Sequence, residues 1–301
     1  MIINQATLDG LFRNLRAEFQ SAYGQAKPTW MQIASRLSSS TSREDHRWFS
    51  RWPKMRKWES ERRVSALAAH GYNVRNEKFE STIAVNRDDL EDDILGIYQM
   101  QASQAGVAAS EWPDILAYSA LEDGEEGLCH DGQAFFSDAH PLDNGKTFDN
   151  LLAGKALKAD SLANAQASLG AARTMLMTMP DEEGEPMGLM ANLLVVPPAL
   201  EDTARILSTS DRLGGDDPNP YKGIGVHVSP RLKSATKWYV MDDSGSLKPL
   251  IFQERSAPEF DSLMNPEATE RVFLRDEYLY GVRARGAAAY GLPQCAVLGK
   301  P

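Results

Sequence analysis

The chain has 301 residues, with 32 Lys or Arg against 42 Asp or Glu for a formal charge of −10, and is 42% hydrophobic and 25% charged. This composition excludes collagenous, low-complexity and disordered classes and predicts a soluble chain of about two domains. The acidic balance also argues against a dedicated nucleic-acid binder, which concentrates Lys and Arg to neutralise phosphates.

The amino terminus has no basic region followed by an apolar one, so no signal peptide is expected. Leu8, Leu11, Phe12, Leu15 and Phe19 recur at helical spacing and predict an arm with one apolar face, ended by Gly24 and Pro28. After a Ser/Thr tract at 38–42, Arg43 to Arg63 holds eight basic and four acidic residues together with Trp48, Trp52 and Trp58. This stretch lacks a 3.6-residue period. Tyr72, Val74, Phe79, Ile83 and Val85 alternate as strands do. Residues 35–86 therefore predict a long, projecting, mainly β excursion.

The acidic cluster Asp88, Asp89, Glu91, Asp92 and Asp93 precedes a helical pattern from Ile94 to Leu116, with a bend or break expected at Pro113. The uncharged part of that pattern, Ile94 to Ser110, contains three Gln, two Ser and two Gly, too polar for a membrane span. A second helix, capped by Asp160 or Ser161 and stopped by Pro180, carries Leu162, Ala165, Leu169, Ala172, Leu176 and Met179 and should lie against a sheet. The run Leu193 to Val196 predicts a buried strand followed by a short helix over 200–207. Three further strands are expected at 224–228, 237–241 and 248–253, the last two joined by a turn at Asp243-Ser244-Gly245, giving a mixed unit over 190–255. From Tyr278 to Arg285 the chain alternates as a strand with one apolar face.

Three constellations carry chemistry on paper. Cys129, His130, Asp131 and His140 could make a Cys-His nucleophile or a metal site in a soluble cytosolic enzyme. No GxSxG elbow and no further ligand at a known spacing accompanies them, so a packed loop with hydrogen-bonding histidines is the expectation. Cys129 and Cys295 lack a CxxC pair and are expected to be unpaired, unligated thiols. Gly223-Ile224-Gly225 is half a dinucleotide fingerprint running into a strand, and Asp242-Asp243 beside Ser244-Gly245 is ordinary turn chemistry. The Trp-rich basic segment could stack single-stranded nucleic acid as a binding module, but its interleaved acids fit a protein contact surface better. No catalytic, cofactor or metal residue is therefore assigned.

Taken together, Trp30-Met-Gln-Ile-Ala, Trp52-Pro-Lys-Met-Arg-Lys-Trp58, Phe79-Glu-Ser-Thr-Ile, Asn86 to Asp93, Asp131-Gly-Gln-Ala-Phe-Phe with His140-Pro141, Leu194-Val-Val-Pro-Pro and Tyr280-Gly-Val-Arg-Ala-Arg-Gly resemble the major head subunit of Mu-like tailed bacteriophages, the gpT-type capsid proteins. His130, where the family often has an aromatic, and Pro293 are departures that alter packing. The resemblance implies an α+β chain of the Hong Kong 97-type capsid fold: an N-arm at 1–34, an extended loop at 35–87, a peripheral domain with a long spine helix at 88–191 and 259–301, and an axial domain at 192–258. It implies pentamers and hexamers closing an icosahedral shell around double-stranded DNA, in a virion assembled in the bacterial cytoplasm. Scaffold, portal and decoration proteins are the implied partners, with only weak, non-specific contact to DNA and no membrane.

Opposite charges within the chain then predict how copies dock. Arg43, Arg47, Trp48, Arg51, Trp52, Arg56, Lys57, Trp58, Arg62 and Arg63 belong to a segment of net charge +4. They are expected to meet Asp88, Asp89, Glu91, Asp92 and Asp93, or Glu122, Asp123, Glu125 and Glu126, on a neighbouring copy.

Overall fold

The computed structural model describes residues 5–46, 72–92, 96–142, 144–245, 247–263 and 274–301. The arm is helix α1 (Gln5–Gln25), with Leu8, Leu11, Leu15 and Phe19 buried. It ends just ahead of Pro28, whose ring disfavours helical geometry in the residue before it. After a 3₁₀ turn at Trp30–Gln32 come β1 (Ala34–Ser38), β2 (Arg43–Asp45), β3 (Asn73–Arg75) and β4 (Glu77–Asn86). Strands β2 and β3 pair antiparallel, Arg43 opposite Arg75, and the backbone N–H of His46 donates to Tyr72 O at 2.8 Å. A buried polar set ties this ribbon to the body. His46 Nε2 lies 2.8 Å from Gln253 Oε1, Gln253 Nε2 donates to Asn76 Oδ1 at 2.9 Å, and Asn76 Nδ2 donates to Ser39 Oγ at 2.8 Å.

The acidic cluster does not lead straight into the long helix. Asn86 accepts from the Asp88 N–H at 3.0 Å and caps a separate short helix, α2 (Arg87–Glu91), whose first turn holds Asp88 and Asp89. Helix α3 (Gly96–Glu122) follows and runs unbroken through Pro113. Packing on both sides of the proline overrides its propensity: the Trp112 ring sits 5.1 Å from Phe252 and 5.0 Å from Phe79, and Tyr118 is fully buried. Gly106 lets α1 and α3 approach, because a Cβ there would overlap the Phe19 carbonyl.

Short strands β5 (His140–Pro141), β6 (Thr147–Phe148) and β7 (Leu151–Leu152) precede the second expected helix. That helix is capped by Ser161, whose Oγ accepts from the Asn164 N–H. It contains α4 (Leu162–Ala165), a π-helical turn at Gln166–Gly170 and α5 (Ala171–Met177). Then come β8 (Leu193–Val196), α6 (Glu201–Thr209), β9 (Arg212–Leu213), β10 (Asp217–Pro218), β11 (Gly225–Val228), β12 (Trp238–Met241), β13 (Leu250–Leu263), β14 (Glu277–Tyr290) and β15 (Ala296–Gly299).

Two principal sheets result. One has the order β1-β13-β14-β4, the other β11-β8-β12-β15-β7. The second is buried on both faces. Leu193, Val195, Tyr239, Met241, Ala296 and Leu298 join a central core with Trp112, Tyr118, Phe135 and Phe252, while Leu194, Val196, Trp238, Val240 and Val297 pack with α5 and α6. Two-sided burial explains why β8 and β12 read as continuous apolar runs. The turn at 243–245 is present but does not close a hairpin. Both edges of β12 are already occupied, by β8 and β15, so the chain passes to the other sheet. The mixed unit expected over 190–255 is likewise completed from outside that span, by β15 and β7.

A third core unites α1, α3, β4 and the distal parts of β13 and β14, through Leu8, Leu15, Tyr98, Phe260 and Tyr280. Strand β14 alternates as its sequence requires, with Tyr278, Tyr280, Val282 and Ala284 all buried. Gly299 in β15 lies against the Trp238 indole, where a Cβ would overlap the ring. Gly299→Ala is expected to cost about 1–3 kcal/mol through overpacking, read as a lower urea midpoint, whereas an unchanged midpoint would mean that the indole can yield.

Candidate functional site

The loop after α3 brings three chemistry-bearing side chains together. Cys129 Sγ donates to Asp131 Oδ1 at 2.8 Å, and His140 Nδ1 lies 2.6 Å from Asp131 Oδ2. Asp131 Oδ1 also accepts from the Gln133 N–H at 2.9 Å, fixing a tight turn at Gly132, whose φ is +82°. The His140 side chain is fully buried and that of Asp131 is 12% exposed. The order of groups is Cys, Asp, His, with the carboxylate in the middle. Burial first, then the Asp131 charge, push the Cys129 thiol far above its usual range. Burial raises the Asp131 pKa, but the donors His140, Cys129 and Gln133 outweigh it and hold the value at about 2. A nucleophile needs the opposite arrangement, with its thiol against a base. The enzyme reading of this loop fails on that geometry, and His130, whose basicity burial lowers, does not change it.

The weaker motifs resolve as turns. Asp242 Oδ1 accepts from the Ser244 N–H at 2.8 Å and Oδ2 from the Met190 N–H at 2.9 Å, while Gly225 begins β11. A recess of about 750 Å³ over the π-helical turn is lined by Gln166, Thr174, Thr178, Tyr221 and Asp149, without a paired nucleophile and base.

The charged surfaces behave unequally. Arg43 stands at the base of the β2–β3 ribbon. Arg47, Trp48, Arg51, Trp52, Arg56, Lys57, Trp58, Arg62 and Arg63 lie outside the described residues, as does Asp93. Asp88 in α2 and Asp92 just after it are exposed with no cation within bonding distance among the described residues. Asp89 accepts from the Tyr98 hydroxyl and Glu91 pairs with Arg87 at 3.1 Å.

At the other end of α3, two of the four carboxylates serve the subunit itself. Glu122 Oε1 accepts from the backbone N–H groups of Lys233 and Ser234 at 2.6 and 2.7 Å. Glu125 bridges Lys237, at 2.6 Å, and Lys300. Asp123 and Glu126 remain exposed. Burial opposes ionisation of Glu125, but the two lysines prevail and lower its pKa. The stabilisation from this clamp is thus full above the normal carboxylate range and is lost as pH falls through the lowered value. Glu125→Gln is expected to cost about 1 kcal/mol at neutral pH and nothing once the carboxylate is protonated. Urea titrations of wild type and variant at both pH values check this, and a pH-independent difference would exclude the ionic clamp.

Sequence reasoning missed a polar latch at the middle of α3. Asp114, with a 7% exposed side chain, accepts the backbone N–H groups of Thr29 at 2.9 Å and Trp30 at 2.7 Å. Arg231, which pairs with Glu111 at 2.5 Å, lies 3.8 Å away. One turn on, the Tyr118 hydroxyl meets Thr29 Oγ1 at 3.1 Å and His227 Nε2 at 2.6 Å. Burial raises the Tyr118 pKa to about 12 and lowers that of His227. The latch joins the N-terminal segment, α3 and β11, the edge strand of the five-stranded sheet. Its only sequence signal is a carboxylate placed directly after Trp112-Pro113 in an otherwise apolar helix face.

The profile of the family "Mu-like prophage major head subunit gpT" matches residues 8–158, 156–232 and 227–301. The major capsid protein of Escherichia phage Mu is 28% identical over 297 residues, covering 99% of this chain and 74% of the relative. The Mu-like prophage FluMu major head subunit of Haemophilus influenzae is 27% identical over 286 residues, covering 95% and 70%. Among solved structures, the procapsid of bacteriophage JBD30 matches with a TM-score of 0.62 and 30% identity over 99% of this chain and 76% of that one. A virus-like particle from Pyrococcus furiosus, 12% identical with a TM-score of 0.54 over 96% and 98%, shares the fold alone. The fold is the Hong Kong 97 type expected from the sequence, and the relatives are structural proteins of the phage head, not enzymes. No helix among the described residues is long and apolar enough to cross a membrane. This chain belongs to the Mu-like gpT major head subunits and is a major capsid protein that assembles with copies of itself into the icosahedral head of the virion.

Proposed function

We propose that the chain forms pentamers and hexamers that close the shell around double-stranded phage DNA. In this reading, residues 1–34 are the N-arm, 35–87 the extended loop, 88–191 and 259–301 the peripheral domain, and 192–258 the axial domain. The observation that carries the reading is the JBD30 procapsid match over 99% of the chain at 30% identity. One core under the arm and the long helix and another on the helix-covered face of the five-stranded sheet, joined by the central core, support a two-part tile. Scaffold and portal proteins complete the assembly. Decoration is supported by the related JBD30 capsid, which is decorated with minor capsid protein trimers. The net charge of −10 supports a lumen that binds incoming DNA weakly, because a basic wall would release counterions and hold it. Expression of the chain, followed by gradient sedimentation and electron microscopy, tests the reading. Capsomers or closed shells are expected. A small oligomer of fixed size, with or without co-expressed scaffold, would overturn it.

A further inference from the structure

We propose that Cys129, Asp131 and His140 bind a divalent transition metal, with zinc the expected ion. The ligand atoms of these three side chains all lie within 4.8 Å of one another, two of them in buried residues. Thiolate, carboxylate and imidazole form the mixed donor set that suits zinc, and three protein ligands leave a fourth position for water or for His130 next along the chain. The spacing of these residues alone predicted no metal; their convergence changes that expectation.

The hydrogen-bond inventory supplies an independent reason. Asn150 Nδ2 donates to the carbonyls of Phe135 at 2.8 Å and Pro293 at 2.9 Å, which fixes the side-chain amide. Its Oδ1 is therefore the acceptor that meets the Ser137 N–H at 2.9 Å and His140 Nε2 at 3.3 Å. His140 Nδ1 makes the nearer contact, 2.6 Å to the Asp131 carboxylate, and a metal bound at Nδ1 would leave the ring proton on Nε2, where Asn150 Oδ1 accepts it. Asn150 is thus placed as the outer-shell partner that holds a metal-binding histidine in its tautomer.

On the other side, a metal would replace the Cys129–Asp131 hydrogen bond. The Cys129 proton leaves to solvent, the thiolate takes up the ion, and Asp131 serves both neighbours through the metal. Tetrahedral bond lengths place ligand atoms about 3.4–3.6 Å apart. The two contacts of Asp131, now 2.8 and 2.6 Å, must therefore lengthen by less than about 1 Å, and no two of the ligand atoms are farther apart than 4.8 Å. The bound ion would tie the turn at Cys129–Asp131 to His140 in β5, which pairs with β6.

The test uses the full-length protein, purified without chelator and dialysed against metal-free buffer. About one zinc per chain is expected by elemental analysis. Cobalt(II) added to chelator-stripped protein is expected to give a sulfur-to-cobalt charge-transfer absorption. Cys129→Ser should abolish that band, Asp131→Asn and His140→Asn should weaken cobalt binding by about 10-fold or more, and Cys295→Ser should leave the band intact. A wild-type zinc content below about one tenth per chain after incubation with excess zinc, or a cobalt band that survives Cys129→Ser, would overturn the proposal. The wild-type measurements stand even where a variant fails to fold.

Discussion

Asp114→Ala is expected to destabilise the unassembled subunit by about 3–5 kcal/mol, because it strands buried donors instead of merely deleting a contact. The Thr29 and Trp30 N–H groups lose their acceptor, and Trp30 is only 5% exposed, so water cannot take over easily. Arg231 loses one of its two carboxylates and keeps Glu111. Asp114→Asn, which retains one acceptor oxygen but no charge, should fall between wild type and alanine. Urea unfolding monitored by tryptophan fluorescence reads the effect, with Trp30 and Trp112 both close to the latch. A loss below about 1 kcal/mol for the alanine variant would mean that the latch is solvated and the helix is held by apolar packing alone. The position matters beyond stability. Pro113 deprives the helix of one backbone bond, and the next residue is the one that fastens it to the N-terminal segment. Loosening Asp114 should therefore weaken α3 where its continuity through Pro113 is held from outside.

The elements most legible in the sequence were those whose pattern is set locally. The apolar stripe of α1 and the alternation of β14 each follow from one buried face, and both formed where their spacing placed them. Strand β8 was legible as a buried strand and β12 as a strand, but neither their pairing with each other nor that of β12 with β15 was. Two-sided burial erases alternation, and with it any trace of which strand lies alongside. The 243–245 turn illustrates the limit: its Asp-Ser-Gly chemistry was correct, yet turn residues cannot reveal that both edges of β12 are already taken. Of the bend or break expected at Pro113, the break did not form, for a related reason. Intrinsic propensity favours a break, and aromatic packing from Phe79 and Phe252, neither near in sequence, overrides it.

Site chemistry divides along the same line. The packed loop after α3 was legible because Gly132 and Phe135-Phe136 are local signals. The convergence of His140 on Asp131 needed the β5–β6 pairing, which sets His140 opposite Phe148, with the two rings stacked 4.6 Å apart. Glu122 and Glu125 were counted as free surface charge, whereas their partners Lys233, Lys237 and Lys300 come from more than 100 residues away. No window of sequence carries that information. Among the described residues, what survives of these acids as unpaired charge is Asp88 in α2 and Asp92 at its end, together with Asp123 and Glu126.

That survival sharpens the expected result of a charge reversal between copies. Replacing Arg56 and Lys57 by Glu is expected to leave soluble subunits or malformed shells, with closed shells falling by about tenfold or more. Both residues lie outside the described portion, so the case rests on charge: the 43–63 segment carries +4, and five carboxylates stand between Asp88 and Asp93. An exposed ion pair contributes only about 0.2–1 kcal/mol. Two reversals replace attraction by repulsion at each docking contact, a swing of about 1–2 kcal/mol per subunit. Because the contact repeats across the lattice, a tenfold shift per subunit is enough to decide closure. Low salt should deepen the defect, since like charges are then least screened, and salt near 1 M should relieve it. Asp92→Lys with Asp93→Lys should restore assembly in the reversed background and impair it alone, which no general loss of folding can imitate. Equal restoration by Asp123→Lys with Glu126→Lys would move the docking site to the far end of α3, and normal shells from the first variant at low salt would remove charge pairing from the assembly altogether.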